Sequence, residues 1–208
     1  MDFEVSSKRQ QRGILTGLLL GRSFRRQSNF GIEHQNPELE YIAFKRSLLA
    51  QVTGRAVALR QWQTRNGHQM IQLLPTQIPL SRVLVQRLYR GNHKVIRTTL
   101  LTGLTPPGLA LWFMDRGSRH YIHQRKTQTI KGVELYLNTL TPQAESETIA
   151  AYFRERWDIH WGLIRYHHRY RLRLGTQASR QFFELIAPYV LPSLKPLLDP
   201  SDNRTATA

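Results

Sequence analysis

The same succession of segments occurs twice along the chain, and that duplication constrains the fold more than any single motif. An apolar stretch, GILTGLLLG at 13–21, leads through a polar, strand-like region to the helix pattern NPELEYIAFKRSLLAQV at 36–52. A second apolar stretch, GLALWFMDRG at 108–117, leads in the same order to the strand pattern TIKGVELYLNTL at 129–140 and the helix pattern TPQAESETIAAYFRERW at 141–157. Asn36 before Pro37, and Thr141 before Pro142, read as helix N-caps with proline at the first helical position. Each half then carries a hairpin signal and closes on helical material, SRVLVQRLYR at 81–90 and ASRQFFELIAPYVLPSLKPLL at 178–198. A chain of 208 residues with 40% apolar content has room for both halves. The halves are expected at 10–100 and 101–198, with a disordered polar tail at 199–208.

The hairpins carry the first functional signal. In GRAVALRQWQTRNGHQMIQLL (54–74), Asn66 and Gly67 suit a two-residue type I′ turn, where both positions need positive φ. That turn puts Gln61, Gln63 and Arg65 on one face with His68, Met70 and Gln72. In GLIRYHHRYRLRLG (162–175), Arg169, Arg171 and Arg173 alternate with Tyr170, Leu172 and Leu174, so one face is cationic and the other packs. Such a sheet can follow a nucleic-acid groove, where Arg pairs with guanine and Gln with adenine. The plainer alternative is a solvated outer face.

Charge points the same way. Thirty Lys and Arg against fourteen Asp and Glu give +16, an excess that repels itself unless a polyanion is near. Nucleic acid is the leading partner class, within a ribonucleoprotein if the ligand is RNA. A membrane partner lacks its usual basic amphipathic helix or lipidation signal. The charged first twelve residues do not suit a secretory signal, and the nine apolar residues at 13–21 fall short of the roughly 20 a membrane span needs. The expectation is a soluble, intracellular monomer, cytoplasmic or organellar and not secreted. There is no cysteine, which excludes disulfides and thiolate metal sites. The histidines show no zinc spacing, and no phosphate-binding glycine loop or nucleophile elbow is present.

Laid in register, LTGLLLGRS (15–23) and LALWFMDRG (109–117) match in apolar pattern and place Arg22 opposite Arg116. Gly13, Gly17 and Gly21 recur every four residues, which lines them on one helix face and lets another backbone approach, with Gly108 and Ala110 offering some of the same room in the second copy. These stretches resemble the paired signature helices of LAGLIDADG homing endonucleases. The similarity extends through LTPPGLALWFMDRGS, VELYLNT, TIAAYFRERWDIHWGLIRYHHRYRLRL and FFELIAPYVLPSLKPLL, about residues 10 to 198. The resemblance implies an α+β fold of two pseudo-symmetric αββαββα repeats, with signature helices packed at a pseudo-two-fold axis and antiparallel sheets forming a saddle over DNA. In active members, the last acidic residue of each signature helix helps hold a divalent metal at the scissile phosphate.

Arg22 and Arg116 occupy those positions here, and Asp115 lies one residue early, turned by about 100°. Magnesium takes hard oxygen ligands. A guanidinium only donates hydrogen bonds and stays protonated, so it serves neither as ligand nor as base. The expectation is a catalytically degenerate protein with no cofactor. In one reading the two arginines clamp a phosphate between them; in the other they turn into water. The candidate nucleic-acid contacts are Arg22, Arg25, Gln27, Gln61, Gln63, Arg65, Arg116, Arg119, Arg169, Arg171 and Arg173, on DNA or structured RNA. The alternative is an active, Mg²⁺-dependent nuclease that recruits metal through Asp115 or through another carboxylate such as Glu33.

Overall fold

The computed structural model describes residues 3–124 and 129–200; of the expected tail, 201–208 lie outside the described residues. The chain divides into two compact units. The first is the chain up to Val95 together with Gly103–Trp112; the second is Ile96–Thr102 together with the chain from Phe113 onward.

The first unit runs α1 (Lys8–Leu20), β1 (Ser23–Arg26), β2 (Asn29–Gln35), α2 (Leu39–Thr53), β3 (Ala58–Gln63), β4 (Gln69–Leu74) and α3 (Pro79–Leu88), then a small hairpin of β5 (Tyr89–Arg90) and β6 (His93–Lys94). Its four-stranded sheet is antiparallel in the order β1-β2-β4-β3. After α4 (Thr98–Leu101), α5 (Pro106–Arg116) begins in the first unit and ends in the second. The second unit continues with β7 (Gly117–His123), β8 (Ile130–Thr141), α6 (Gln143–Trp157), β9 (Gly162–Tyr166), β10 (Arg169–Leu174), α7 (Thr176–Ile186) and α8 (Lys195–Leu198). Its antiparallel sheet has the order β7-β8-β10-β9. The succession αββαββα therefore runs twice. Among the described residues no helix is long and apolar enough to cross a membrane.

Strand periodicity makes each sheet two-faced. In the first sheet Phe30, Ile32, Ile71 and Leu73 are buried on the helix-covered face. There α2 contributes Lys45, whose ammonium is buried 3.0 Å from His34 Nε2 and above the Tyr41 ring. In the second sheet Leu135, Leu137, Leu172 and Leu174 are buried, and Phe113, Phe153, Trp161 and Phe182 pack as an aromatic cluster with centroids 5.1–6.0 Å apart.

A capping box starts α1: Ser7 Oγ accepts from Gln10 N, and Gln10 Oε1 accepts from Ser7 N. Within the first unit α1 meets the start of α5 backbone to backbone. A Cβ on Gly17 would lie 2.1 Å from the Gly108 carbonyl oxygen, and one on Gly108 would lie 2.2 Å from that of Gly13. The two helices are close enough for Cα–H groups to face carbonyls.

Three local expectations need correction. Asn36 does not cap α2, which starts at Leu39. Asn36 prolongs β2 instead: its N–H donates to Gln69 O and its Oδ1 accepts from Gln69 N, both at 2.8 Å. Thr141 ends β8 rather than capping α6, and its hydroxyl bonds Ser146 Oγ at 2.8 Å. The β3–β4 turn is also not the two-residue type. Thr64 N donates to His68 O at 2.8 Å and Thr64 Oγ1 accepts from His68 N, so Arg65, Asn66 and Gly67 form a three-residue loop. Only Gly67 there has positive φ, as in a type I turn followed by a bulge.

A bulge also bends β8. Tyr170 pairs with Thr141 but Leu172 with Leu137, and Leu140 in the bulge has φ of 50°. A branched side chain is strained there, and Leu140 is 40% exposed. Leu140→Gly should therefore stabilise the second unit by up to about 1 kcal/mol, raising its melting temperature by roughly 2–4 °C in a calorimetric scan.

Candidate nucleic-acid interface

Each sheet turns its second face to solvent. On the second sheet, cross-strand pairing places His120 opposite Glu134 and Tyr136 opposite Arg173. With Leu172 and Leu174 buried behind them, Arg169, Arg171 and Arg173 stand on this open face. The Arg171 guanidinium lies 4.2 Å from the Tyr136 ring centroid and 5.3 Å from that of Tyr166. Arg173 Nη1 is 3.2 Å from Glu134 Oε1, while Glu134 Oε2 accepts the Tyr136 hydroxyl at 2.7 Å. Burial first, then the bond to Glu134, pushes the Tyr136 phenol above its ordinary value, against the opposing pull of Arg171 and Arg173. The hydroxyl thus remains a donor. A cavity of about 620 Å³ borders this network, with His120, Glu134 and Tyr136 in its wall.

The open face of the first sheet is built differently. Arg60 pairs with Gln72 and Trp62 with Met70, and Gln72 Nε2 donates to Glu33 Oε2 at 2.7 Å. Gln61 and Gln63 pair with Ile71 and Gln69, which puts them on the opposite face from Met70 and Gln72. The expected grouping of Gln61 and Gln63 with Met70 and Gln72 is therefore overturned. The extra loop residue slips the register by one, and a slip of one exchanges the faces. Arg60 and the 40%-exposed Trp62 take the place that reading gave to the glutamines.

Several candidates are committed elsewhere. Arg25 donates from Nε to Gln27 O at 2.9 Å and from Nη1 to Gly91 O at 2.6 Å, tying its strand to the β5–β6 hairpin. Gln27 sits at the β1–β2 turn with φ of 54°, and Arg65 is exposed in the β3–β4 loop. Arg119 shares the helix-covered side with Leu135, donates to Asp199 O and lies over the Tyr121 ring. Arg165 repeats the Arg25 device, its Nε donating to the carbonyl of His167, which has φ of 52°.

At the end of α1, Gly21 caps the helix, Lys94 Nζ donates to Gly21 O at 2.8 Å, and the exposed Arg22 accepts Glu33 N–H on its carbonyl. At the end of α5, Arg116 is half-buried, its carbonyl accepts from Asn138 Nδ2, and Asp115 is only 5% exposed. Among the described residues no group of three or more His, Asp or Glu is placed to hold a metal ion.

The sequence reading missed Glu134, Tyr136 and Tyr166. The first two were visible in the alternation of VELYL, where strand periodicity sets Val133, Leu135 and Leu137 on one face and Glu134 and Tyr136 on the other, although all five are buried.

Comparisons with known proteins bear on the fold and the family. At the level of fold, the chain is similar to the homing endonuclease I-WcaI bound to its DNA recognition sequence, with a TM-score of 0.73 and 19% identity over 92% of this chain and 86% of that one. It is also similar to the N-terminal LAGLIDADG domain of DUF199/WhiA, with a TM-score of 0.53 and 15% identity over 94% and 89% of the two chains. In sequence it is 27% identical over 203 residues to a protein named RecA from Mycolicibacterium chitae, and 27% over 207 residues to that of Mycolicibacterium fallax. Those alignments cover 89% and 92% of this chain but 45% and 46% of the relatives, so the chain spans about half their length. The family described as LAGLIDADG DNA endonuclease matches residues 12–182, from within α1 into α7. That span takes in both signature stretches and both sheets, and the chain belongs to the LAGLIDADG DNA endonuclease family.

Proposed function

We propose that this chain binds duplex DNA through the open faces of its sheets and has lost metal-dependent cleavage. The observation that carries the binding is the arginine stripe of β10, aligned on a solvent-facing sheet of a +16 chain. Three cations at alternate positions match the spacing at which a strand meets successive groups along a groove. Structures similar in fold that hold DNA, among them I-WcaI bound to its recognition sequence and I-AabMI bound to uncleaved DNA, support DNA over other polyanions.

The loss of cleavage rests on chemistry. Where the resemblance puts a metal-binding acid at the end of each signature helix, Arg22 and Arg116 stand, and neither offers a lone pair to Mg²⁺. The displaced Asp115 is buried at the end of α5, and Glu33 is engaged by Gln72. An active site built on either would first have to expose or release its carboxylate.

Purified protein incubated with duplex DNA, and in parallel with structured RNA of the same length, tests the binding. Retention of the duplex that falls steeply with salt is expected; preferential retention of the RNA would replace DNA as the ligand. Incubation of the complex with Mg²⁺ tests the loss of cleavage. Cleavage that disappears in Asp115→Ala would restore the enzyme reading.

A further inference from the structure

We propose that Glu134 is a positioning residue that converts the cationic face of the second sheet from general attraction for phosphate into selectivity for a base. This deepens the DNA-binding reading above and rests on it.

Glu134 is the single acidic residue in the four strands of this sheet. A carboxylate on a face that meets DNA weakens the attraction of that face for every phosphate. What it supplies is geometry. Its Oε1 holds Arg173 Nη1 at 3.2 Å, and its Oε2 holds the Tyr136 hydroxyl at 2.7 Å. Tyr136 in turn lies against the Arg171 guanidinium, whose Nε is buried between Tyr136 and Tyr166. One carboxylate therefore fixes Arg173 directly and Arg171 through a ring, while Arg169 stays exposed beside the hairpin turn.

An unconstrained arginine follows a phosphate wherever the backbone runs. An arginine tethered at one nitrogen, or stacked on a ring, presents its remaining donors at a fixed point. That suits a base edge, and guanine, with O6 and N7 side by side, is the edge that accepts two such donors. Arg169 then grips backbone, Arg173 and Arg171 face base edges, and Glu134 separates the two kinds of contact.

The probe is a pool of duplex DNA with a randomised core. Wild-type protein selects from it, and affinities are then measured for the selected duplex and for the unselected pool. Guanine should be enriched at one position or at neighbouring positions. Glu134→Gln keeps the shape and removes the charge; it should bind the unselected pool more tightly than wild type while losing preference for the selected duplex. The ratio of the two affinities should fall roughly tenfold, within the range for losing one bidentate base contact. Arg173→Gln breaks the same bridge from the other side and should lower the same ratio, which keeps the test alive if Glu134→Gln melts early.

If Glu134 acts only through its charge, Glu134→Gln would raise both affinities by one factor and leave the ratio unchanged, and that result overturns the proposal. So does a wild-type selection that binds DNA without enriching any base. Failure to retain any duplex is a different outcome, since it removes the DNA-binding reading itself.

Discussion

Gly17→Ala should lower the melting temperature of the first unit by more than about 10 °C, for a cost of roughly 3–5 kcal/mol. The new methyl would sit 2.1 Å from the Gly108 carbonyl oxygen, 2.7 Å from its carbon and 2.8 Å from its Cα. All three are backbone atoms, so no rotamer change makes room. The helices would have to separate, and the side chains buried beside the crossing, Leu15, Leu18, Leu19, Leu109 and Leu111, would lose contacts with them. Gly13→Ala meets mainly Thr105, whose Oγ1 lies 2.1 Å from the new carbon, so Thr105→Ala should partly rescue it. Nothing of the kind rescues Gly17→Ala. Gly54→Ala is the control, because its Cβ meets nothing within 4 Å and only its φ of 66° resists. Its cost should stay near 1 kcal/mol. Equal losses at Gly17 and Gly54 would show that the crossing is looser than the structure has it.

That crossing was legible in the sequence because glycines four residues apart on an apolar helix have few purposes other than close approach. The order of elements was legible as well, since the change from helical to strand periodicity occurs at matching places in the two halves. What was not legible was decided by single hydrogen bonds. Asn66-Gly67 marks a turn wherever it occurs, but the length of the loop depends on Thr64, whose hydroxyl and N–H both engage His68. No propensity reports that choice, and it decides which of Gln61 and Trp62 faces the open side. Asn36 failed in a similar way, because a side chain suited to capping a helix can as readily close a ladder with β4. At the candidate interface, a search for cations finds Arg25 and Arg119 along with Arg171. It cannot tell an arginine spent on a carbonyl from one held over a tyrosine. The distinction lies in the neighbours, Gly91, Asp199 and Tyr136, each far along the chain from its arginine.

Replacing Arg169, Arg171 and Arg173 together with alanine should weaken DNA binding by about two to three orders of magnitude near physiological salt. The size follows from losing three charge-assisted contacts at once, and it is increased by what remains. Without Arg173, the Glu134 carboxylate, at a residue 9% exposed, keeps the Tyr136 hydroxyl bond but loses its cation and turns its charge toward the DNA. The salt dependence then separates the ways of losing that affinity. If all three arginines grip phosphates, the slope of log affinity against log salt should flatten by nearly three units. If Arg171 and Arg173 face bases and only Arg169 grips the backbone, it should flatten by about one, although the affinity falls as far. Leu172 and Leu174, which form the buried side of the same strand, are untouched, so an unchanged far-ultraviolet spectrum would show that the sheet survives. An affinity within about threefold of wild type in the triple variant would place the DNA-binding surface elsewhere on the protein, because no strand that lines the groove can lose three cations at so small a cost.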